Sequence, residues 1–184
     1  ALTEAEKFRS LSKRPKAVRA IATTSDGSRI VFAGDDNRLW IRDSVTGKTE
    51  RGTEFEAGVT ALAISANNTV IAVGLATGGI AIIYAKPLEQ TGILVANANP
   101  VNRIACRTSG THLVSATADG ATRLWDLKAQ AVAQTFQTDG SRITDVAFQN
   151  DNKSIVMAAS DGNVHIETVA AQIVHRADEG RIND

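Results

Sequence analysis

Apolar and polar positions recur along this chain with a period of about 42 residues. Four segments each begin with a β-branched residue and carry a large aliphatic residue fourth and alanine fifth: Val18–Ala22, Val59–Ala63, Val101–Ala105 and Ile143–Ala147. Their first residues lie 41, 42 and 42 positions apart. Such self-similarity predicts a repeat protein in which each repeat forms one small structural unit.

Turns and further strands follow each of these segments in the same order. A turn rich in Ser, Asp, Asn and Gly comes first, and these residues adopt positive φ or bond their own backbone, which predicts a chain reversal. Second strands are then predicted at residues 30–34, 70–74, 113–117 and 155–159. A tight turn closes each second strand, at Asp36-Asn37, Gly78-Gly79, Asp119-Gly120 and Asp161-Gly162. Such pairs between apolar runs predict β-hairpins.

The remainder of each repeat predicts two more strands. Third strands are expected at 39–41, 80–84, 122–125 and 164–166, and more polar fourth strands include 132–136 and 173–175. Four short antiparallel strands per repeat predict an all-β fold, a β-propeller of four-stranded antiparallel blades. Its apolar first strands would line the central channel, and its charged fourth strands would form the outer edge. We expect the four blades at 18–56, 59–98, 101–137 and 143–178.

The third repeat carries the most informative side chains. It contains Arg123-Leu124-Trp125-Asp126, preceded by the stretch 115–120, Ser-Ala-Thr-Ala-Asp-Gly. This closely resembles the WD40-repeat family, which is named for the Trp-Asp pair, and the repeat period extends the resemblance over essentially the whole chain. The other repeats show Arg42-Asp43, Tyr84-Ala85 and Glu167-Thr168 in those two positions. Repeats that depart this far from the family pattern resemble those of large bacterial WD40 proteins.

The resemblance also implies a hydrogen-bonded network. In WD40 blades, a Gly-His pair before the first strand, a Ser or Thr of the second strand, the turn Asp and the Trp bond to one another. No repeat here contains the Gly-His pair. The resemblance therefore implies only a partial network, in the third blade, that joins Trp125 and Asp119 to either Ser115 or Thr117.

The two ends of the chain align with parts of repeats. Residues 1–14 correspond to the outer strand of a preceding blade, and residues 181–184 correspond to the start of a next first strand. We therefore expect a fragment with a partial blade at each end, and the remaining blades in the full-length chain. Such an open arc would expose apolar faces at its ends. A closed propeller of four blades is the alternative.

Composition argues against several classes of function. Lys and Arg together number 20, as do Asp and Glu, so no net charge favours binding to nucleic acid or to a membrane surface. The apolar runs are too short to span a bilayer. Cys106 is the single cysteine, which excludes an intrachain disulfide. A reducing compartment such as the cytoplasm is favoured, and the periplasm and the extracellular space stay open.

No motif in the sequence points to catalysis. His112, His165 and His175 occupy unrelated repeat positions and lack the spacing of metal ligands. Phosphate-binding and nucleophile motifs are absent. Cys106 falls in a first strand, where a buried, unreactive thiol is expected. We therefore expect no catalytic residue, metal or cofactor.

One rim of the predicted propeller is the candidate site. It comprises the loops before the first strands and the turns after the second strands, and the candidate partner-binding residues at its channel mouth are Arg19, Thr60, Asn102 and Thr144. Their chemistry differs between repeats while neighbouring positions stay apolar, as either a recognition surface or neutral drift would produce. Trp40 either packs between blades or serves as an exposed binding anchor.

These observations predict a non-catalytic scaffold or sensor module that binds a peptide or protein partner on this rim. One alternative is an accessory propeller of a larger enzyme or electron-transfer protein whose chemistry lies in other domains. A propeller that binds a small ligand in its central channel is a further possibility.

Overall fold

Fifteen β-strands form four antiparallel sheets in the computed structural model, which describes residues 16–85, 88–95, 99–137 and 140–169. Three sheets have four strands and the fourth has three within the described residues. Consecutive strands pair in chain order in every sheet. The first sheet comprises β1 (Val18–Thr23), β2 (Arg29–Gly34), β3 (Arg38–Asp43) and β4 (Thr49–Glu54), and the second comprises β5 (Val59–Ile64), β6 (Val70–Leu75), β7 (Gly79–Ala85) and β8 (Leu88–Val95). The third comprises β9 (Val101–Cys106), β10 (His112–Thr117), β11 (Thr122–Asp126) and β12 (Ala131–Phe136), and the fourth comprises β13 (Ile143–Phe148), β14 (Ser154–Ala159) and β15 (Val164–Thr168).

The predicted all-β fold of antiparallel four-stranded units is confirmed. Every strand predicted within the described residues is present, with bounds that differ by a few residues at most. The predicted outer strands at 1–14 and 173–175 and the partial strand at 181–184 lie outside the described residues. No helix long and apolar enough to cross a membrane occurs in the described part of the chain.

The sheets stack face to face, and three apolar clusters fill the spaces between them. The first cluster joins Leu39 and Ile41 of the first sheet to Val59, Val73 and Ile83 of the second. Two equivalent clusters lie between the second and third sheets and between the third and fourth sheets. Strands β1, β5, β9 and β13 contact one another from sheet to sheet, which places the first strand of each repeat on the inner side of the stack.

Side-chain alternation explains why the middle sheets are buried on both faces. Successive residues of a strand point to opposite faces of the sheet, so a strand between two neighbours must be apolar at every position. Strand β6, Val70–Leu75, is buried at all six positions. On the faces of the first and fourth sheets that point away from the stack, by contrast, Ile21, Val164 and Ile166 are exposed.

Strand pairing corrects the sequence alignment of the second repeat by one residue. Leu113 pairs with Trp125 in the third sheet, and the equivalent pair in the second sheet is Ile71 with Ile83. Ile83, and not Tyr84, therefore occupies the position of Trp125.

Turn geometry agrees with this register. Positive φ angles occur at Asn37, Gly78, Gly120 and Gly162, so Gly78 is the counterpart of Gly120. The sequence alignment failed here because Gly78-Gly79 offers two glycines for one turn position. The apolar run that follows has no alternation that would fix the register.

Gly74 provides a test of the packing between the second and third sheets. A Cβ atom at this position would lie 2.8 Å from Val101 Cγ1 and 3.1 Å from Ala61 Cβ, so Gly74→Ala would overpack the second cluster. We expect this substitution to lower the free energy of unfolding by about 1–3 kcal/mol, measured by urea denaturation. Gly58→Ala is the matched control, because the nearest atom to its Cβ would be 3.8 Å away. Equal stability of the two variants would contradict tight packing at Gly74.

Candidate partner-binding rim

A repeated backbone hydrogen bond joins two sets of loops at one end of the sheets. The residue that follows each second strand donates its N–H to a carbonyl in the loop before the first strand: Asp35 to Ala17 (3.0 Å), Ala76 to Gly58 (2.9 Å), Ala118 to Pro100 (3.0 Å) and Ser160 to Arg142 (2.9 Å). We call this end, with the loops before the first strands and the turns between second and third strands, the upper rim. The four bonds hold equivalent loops in equivalent positions.

A β-bulge lies at the upper rim in all four sheets. The pairing between first and second strands skips one residue in each sheet. The skipped residues are the four candidates from the sequence, Arg19, Thr60, Asn102 and Thr144. A bulged residue leaves the regular ladder and bends its strand, and bulges are common beside functional sites.

Two of the bulged residues stabilise the strands themselves. The Thr60 hydroxyl lies 2.6 Å from the Val101 carbonyl of the third sheet and 3.2 Å from the Gly74 carbonyl. The Thr144 hydroxyl donates to the Ala158 carbonyl at 3.1 Å. Both side chains therefore satisfy main-chain acceptors near the bulge.

The other two bulged residues make no such contacts with the strands. Arg19 is exposed and forms a bidentate pair with Asp35, with both N–O distances at 2.9 Å. The hydrogen bond from Arg19 lowers the pKa of Asp35, and it raises the pKa of Arg19. Asn102 is half-buried, and its Nδ2 atom is buried without a hydrogen-bond partner. An unpaired buried donor is uncommon in native structures.

The third sheet contains the partial network, in two separate pieces. Trp125 is buried, and its Nε1 donates to Ser115 Oγ at 2.9 Å. The Thr117 hydroxyl donates to Asp119 Oδ1 at 2.6 Å, and Asn99 Nδ2 donates to Asp119 Oδ2 at 3.1 Å. Asn99 thus links the preceding loop to the turn Asp, a role that the sequence did not reveal. Ser141 makes the equivalent bond to Asp161 in the fourth sheet, at 2.8 Å.

Asp126 and Trp40 have local structural contacts. Asp126 Oδ1 accepts the backbone N–H groups of Lys128 and Ala129 at 2.8 and 2.9 Å, which fixes the turn after β11. Trp40 is half-buried, and its Nε1 donates to Asp36 Oδ2 at 2.8 Å. Leu39 and Ile41 beside it face the second sheet, so alternation turns Trp40 to the opposite face. Trp40 therefore does not pack between the first and second sheets.

A groove on the outer part of the upper rim was not foreseen from the sequence. It has a volume of about 420 Å³ and lies between the end of β4 and the second sheet, where it is lined by Phe55, Leu75, Gly79, Ile93, Glu54 and Glu56. Ile93 belongs to an outer strand and is 51% exposed. The sequence signal is modest: Phe55 is an isolated aromatic residue in a polar stretch, and Ile93-Leu94 interrupts the polar character expected of an outer strand.

The described residues contain no arrangement typical of a metal centre or an active thiol. No three His, Cys, Asp or Glu side chains come together among them. Burial raises the pKa of the Cys106 thiol to about 12, so the thiol is protonated at neutral pH. His112 lies beside Arg107 and Thr111, and burial lowers its pKa. His165 is half-buried on β15, and His175 lies outside the described residues.

The Trp125–Ser115 hydrogen bond can be measured with a double-mutant cycle. Trp125→Phe and Ser115→Ala each remove one partner, and the double variant removes both. We expect a coupling energy of about 0.5–1.5 kcal/mol from urea denaturation, as for a buried neutral hydrogen bond. Strictly additive effects would show that the bond adds no stability.

Protonation of Asp119 should account for part of the stability that the fold loses at acidic pH. The Thr117 hydrogen bond, with smaller contributions from Ala121 and Asn99, lowers the pKa of Asp119 in the folded state. Its contribution to stability is therefore present above the unfolded-state pKa, about 3.9, and is lost as pH falls through the lower folded-state value. We expect Asp119→Asn to reduce the drop in urea midpoint between neutral pH and strongly acidic pH. An unchanged drop would contradict this role.

Comparisons with known proteins agree with this geometry. The WD40 family, described as "WD domain, G-beta repeat", matches residues 88–126 and 131–166. WD repeat-containing protein JIP5 from Eremothecium gossypii is 31% identical over 100 residues, which cover 50% of this chain and 20% of that protein.

Solved structures show the same fold at low sequence identity. The structure of U3-55K matches with a TM-score of 0.77 and 18% identity, over 88% of this chain and 51% of that chain. The crystal structure of the RRP9 WD40 repeats matches with a TM-score of 0.72 and 15% identity, over 87% and 53%. This chain thus spans about half the length of these structures and a fifth of JIP5. Residues 88–126 and 131–166 thus match repeats of the WD40 family, and the chain has the β-propeller fold of these structures.

Proposed function

We propose that this chain is a non-catalytic interaction module that binds a protein or peptide partner on its upper rim. The proposal rests on the four bulged residues, which lie where the first strand of each sheet reaches the upper rim. We call these four residues the bulged column. Equivalent backbone positions there present different side chains: a guanidinium at Arg19, an amide at Asn102, and hydroxyls at Thr60 and Thr144.

A fixed frame favours binding at this rim. The backbone bonds between loops and turns, such as Asp35 to Ala17, hold the surface before a partner arrives. A surface that is already ordered loses less conformational entropy when it binds. Within this frame, we propose that Arg19 contributes an exposed guanidinium and that the partly exposed side chain of Asn102 adds a polar contact.

The ionisation of the rim carboxylates fits binding better than catalysis. Hydrogen bonds lower the pKa of Asp119 and of Asp161, so both are fully ionised at neutral pH. A general acid needs the opposite shift, and a lowered pKa also makes a carboxylate a weaker general base. These aspartates therefore suit the fixing of turns and contact with a partner.

Truncation of the two bulged side chains that make no bond to a strand carbonyl, Arg19 and Asn102, tests the proposal. A partner is first identified by affinity capture with the 184-residue chain, and its affinity is then measured by calorimetry. We expect Arg19→Ala and Asn102→Ala each to weaken binding, by about tenfold where the residue lies centrally in the interface.

Lys153→Ala is the matched control, because Lys153 is exposed on the loop between β13 and β14, at the opposite end of the sheets. It should leave the affinity unchanged. A partner that binds all three variants as tightly as the unsubstituted chain would rule out recognition through the bulged column.

A further inference from the structure

The groove beside Phe55 has an apolar floor that is open to solvent. Phe55 and Leu75 are almost fully buried, while Ile93 beside them is 51% exposed. Gly79 leaves the floor open, since a Cβ at this position would lie 3.0 Å from Ile93 Cγ2. The volume of about 420 Å³ is sufficient for one or two amino-acid side chains.

The residues that open this groove differ from their counterparts in the third sheet. Ile93 lies on the outer strand β8 and pairs with Ala81 of β7. The equivalent residue on the outer strand of the third sheet is Thr135, which pairs with Arg123. The counterpart of Gly79 in the third sheet is Ala121. A solvated outer strand is normally polar, because charge and polarity discourage unwanted pairing. An exposed isoleucine above an aromatic floor is therefore not required by the repeat.

Two glutamates give the groove an acidic edge. Glu54 is exposed and bonds to Arg38, with 2.6 Å between the nitrogen and oxygen atoms. Glu56 is also exposed and has no side-chain hydrogen bond or ion pair among the described residues. The carboxylate of Glu56 therefore places a negative group beside the apolar floor, which favours a cationic group.

We infer that this groove binds a peptide segment of the partner in which a large apolar side chain adjoins a lysine or arginine. The apolar side chain packs on Phe55, Leu75 and Ile93, and the basic side chain bonds to Glu56 at the edge. Burial of the apolar group supplies affinity, and the charge selects sequence and orientation. This inference rests on the proposed interaction function and adds a partner chemistry to it.

Selection from a phage-displayed library of random linear peptides tests the inference with the 184-residue chain. Enriched peptides are synthesised, and their affinities are measured by fluorescence anisotropy. We expect them to share a large apolar residue next to Lys or Arg and to bind more weakly as salt concentration rises. Ile93→Lys and Glu56→Lys should each weaken binding about tenfold or more.

Two matched variants control for charge and folding. Val132→Lys changes an apolar residue that is 43% exposed on the outer strand of the third sheet. Glu167→Lys reverses an exposed glutamate on β15. Both should bind the peptides as the unsubstituted chain does, and all four variants should keep its urea midpoint.

The outcomes separate this inference from the proposed function. Failure to enrich peptides with the apolar and basic pair, or equal binding by the Ile93→Lys variant, overturns the groove assignment. If Ile93→Lys and Glu56→Lys leave the peptide affinity unchanged but Arg19→Ala or Asn102→Ala lowers it, the groove assignment is overturned. That result supports binding at the bulged column. If only Ile93→Lys and Glu56→Lys lower the peptide affinity, the result supports binding in the groove and not at the bulged column.

Discussion

Packing of one sheet against the next is the interaction on which the rest of this structure depends. A four-stranded sheet has two faces and cannot bury either of them alone. Here each internal face finds its partner in the following repeat, as Leu39 and Ile41 do against Val73 and Ile83. The apolar clusters are therefore shared between repeats, and no sheet has a core of its own.

This mode of packing leaves the ends of the sheets free to carry polar contacts. At the end opposite the upper rim, Asn68 accepts the Ser25 N–H at 2.9 Å, and Asn152 accepts the Thr108 N–H at 3.1 Å. These bonds join first-to-second-strand turns of neighbouring sheets. At the upper rim, Thr60 reaches the Val101 carbonyl of the next sheet. Polar side chains at both ends thus reinforce the order that the apolar faces establish.

The sequence predicted the strands well because the repeat presents each pattern several times. All four first strands share a β-branched residue, a large aliphatic residue and alanine in the same order. Because the pattern occurs four times, it is not a coincidence of one segment. Register was less secure where the pattern was uniform. Between Gly78 and Ile83 neither alternation nor a unique turn residue fixed the alignment, and only backbone pairing placed Ile83 opposite Ile71.

The candidate site was predictable in part for a related reason. One position of the first strand differs between the repeats while its neighbours stay alike, and it is occupied by Arg19, Thr60, Asn102 and Thr144. The sequence did not show that a bulge occurs at each of them. The groove depends on Phe55 and Ile93, which are far apart in sequence and come together only when β4 packs against the second sheet. The Asn99 contact with Asp119 likewise depends on how two loops meet.

Equivalent positions of the repeats share a backbone environment. The residues found there therefore distinguish what the fold needs from what it leaves free for another role. Where the bulged residue is threonine, its hydroxyl satisfies a main-chain carbonyl near the bulge. Arginine and asparagine occupy the same position without that bond, so the bulge does not require them for its own stability. Nor does the outer strand require an isoleucine at Ile93, since its counterpart Thr135 is polar. The exposed Arg19 and Ile93 are therefore positions that the shared frame does not require, and they are the ones that the proposed contact with a partner would use.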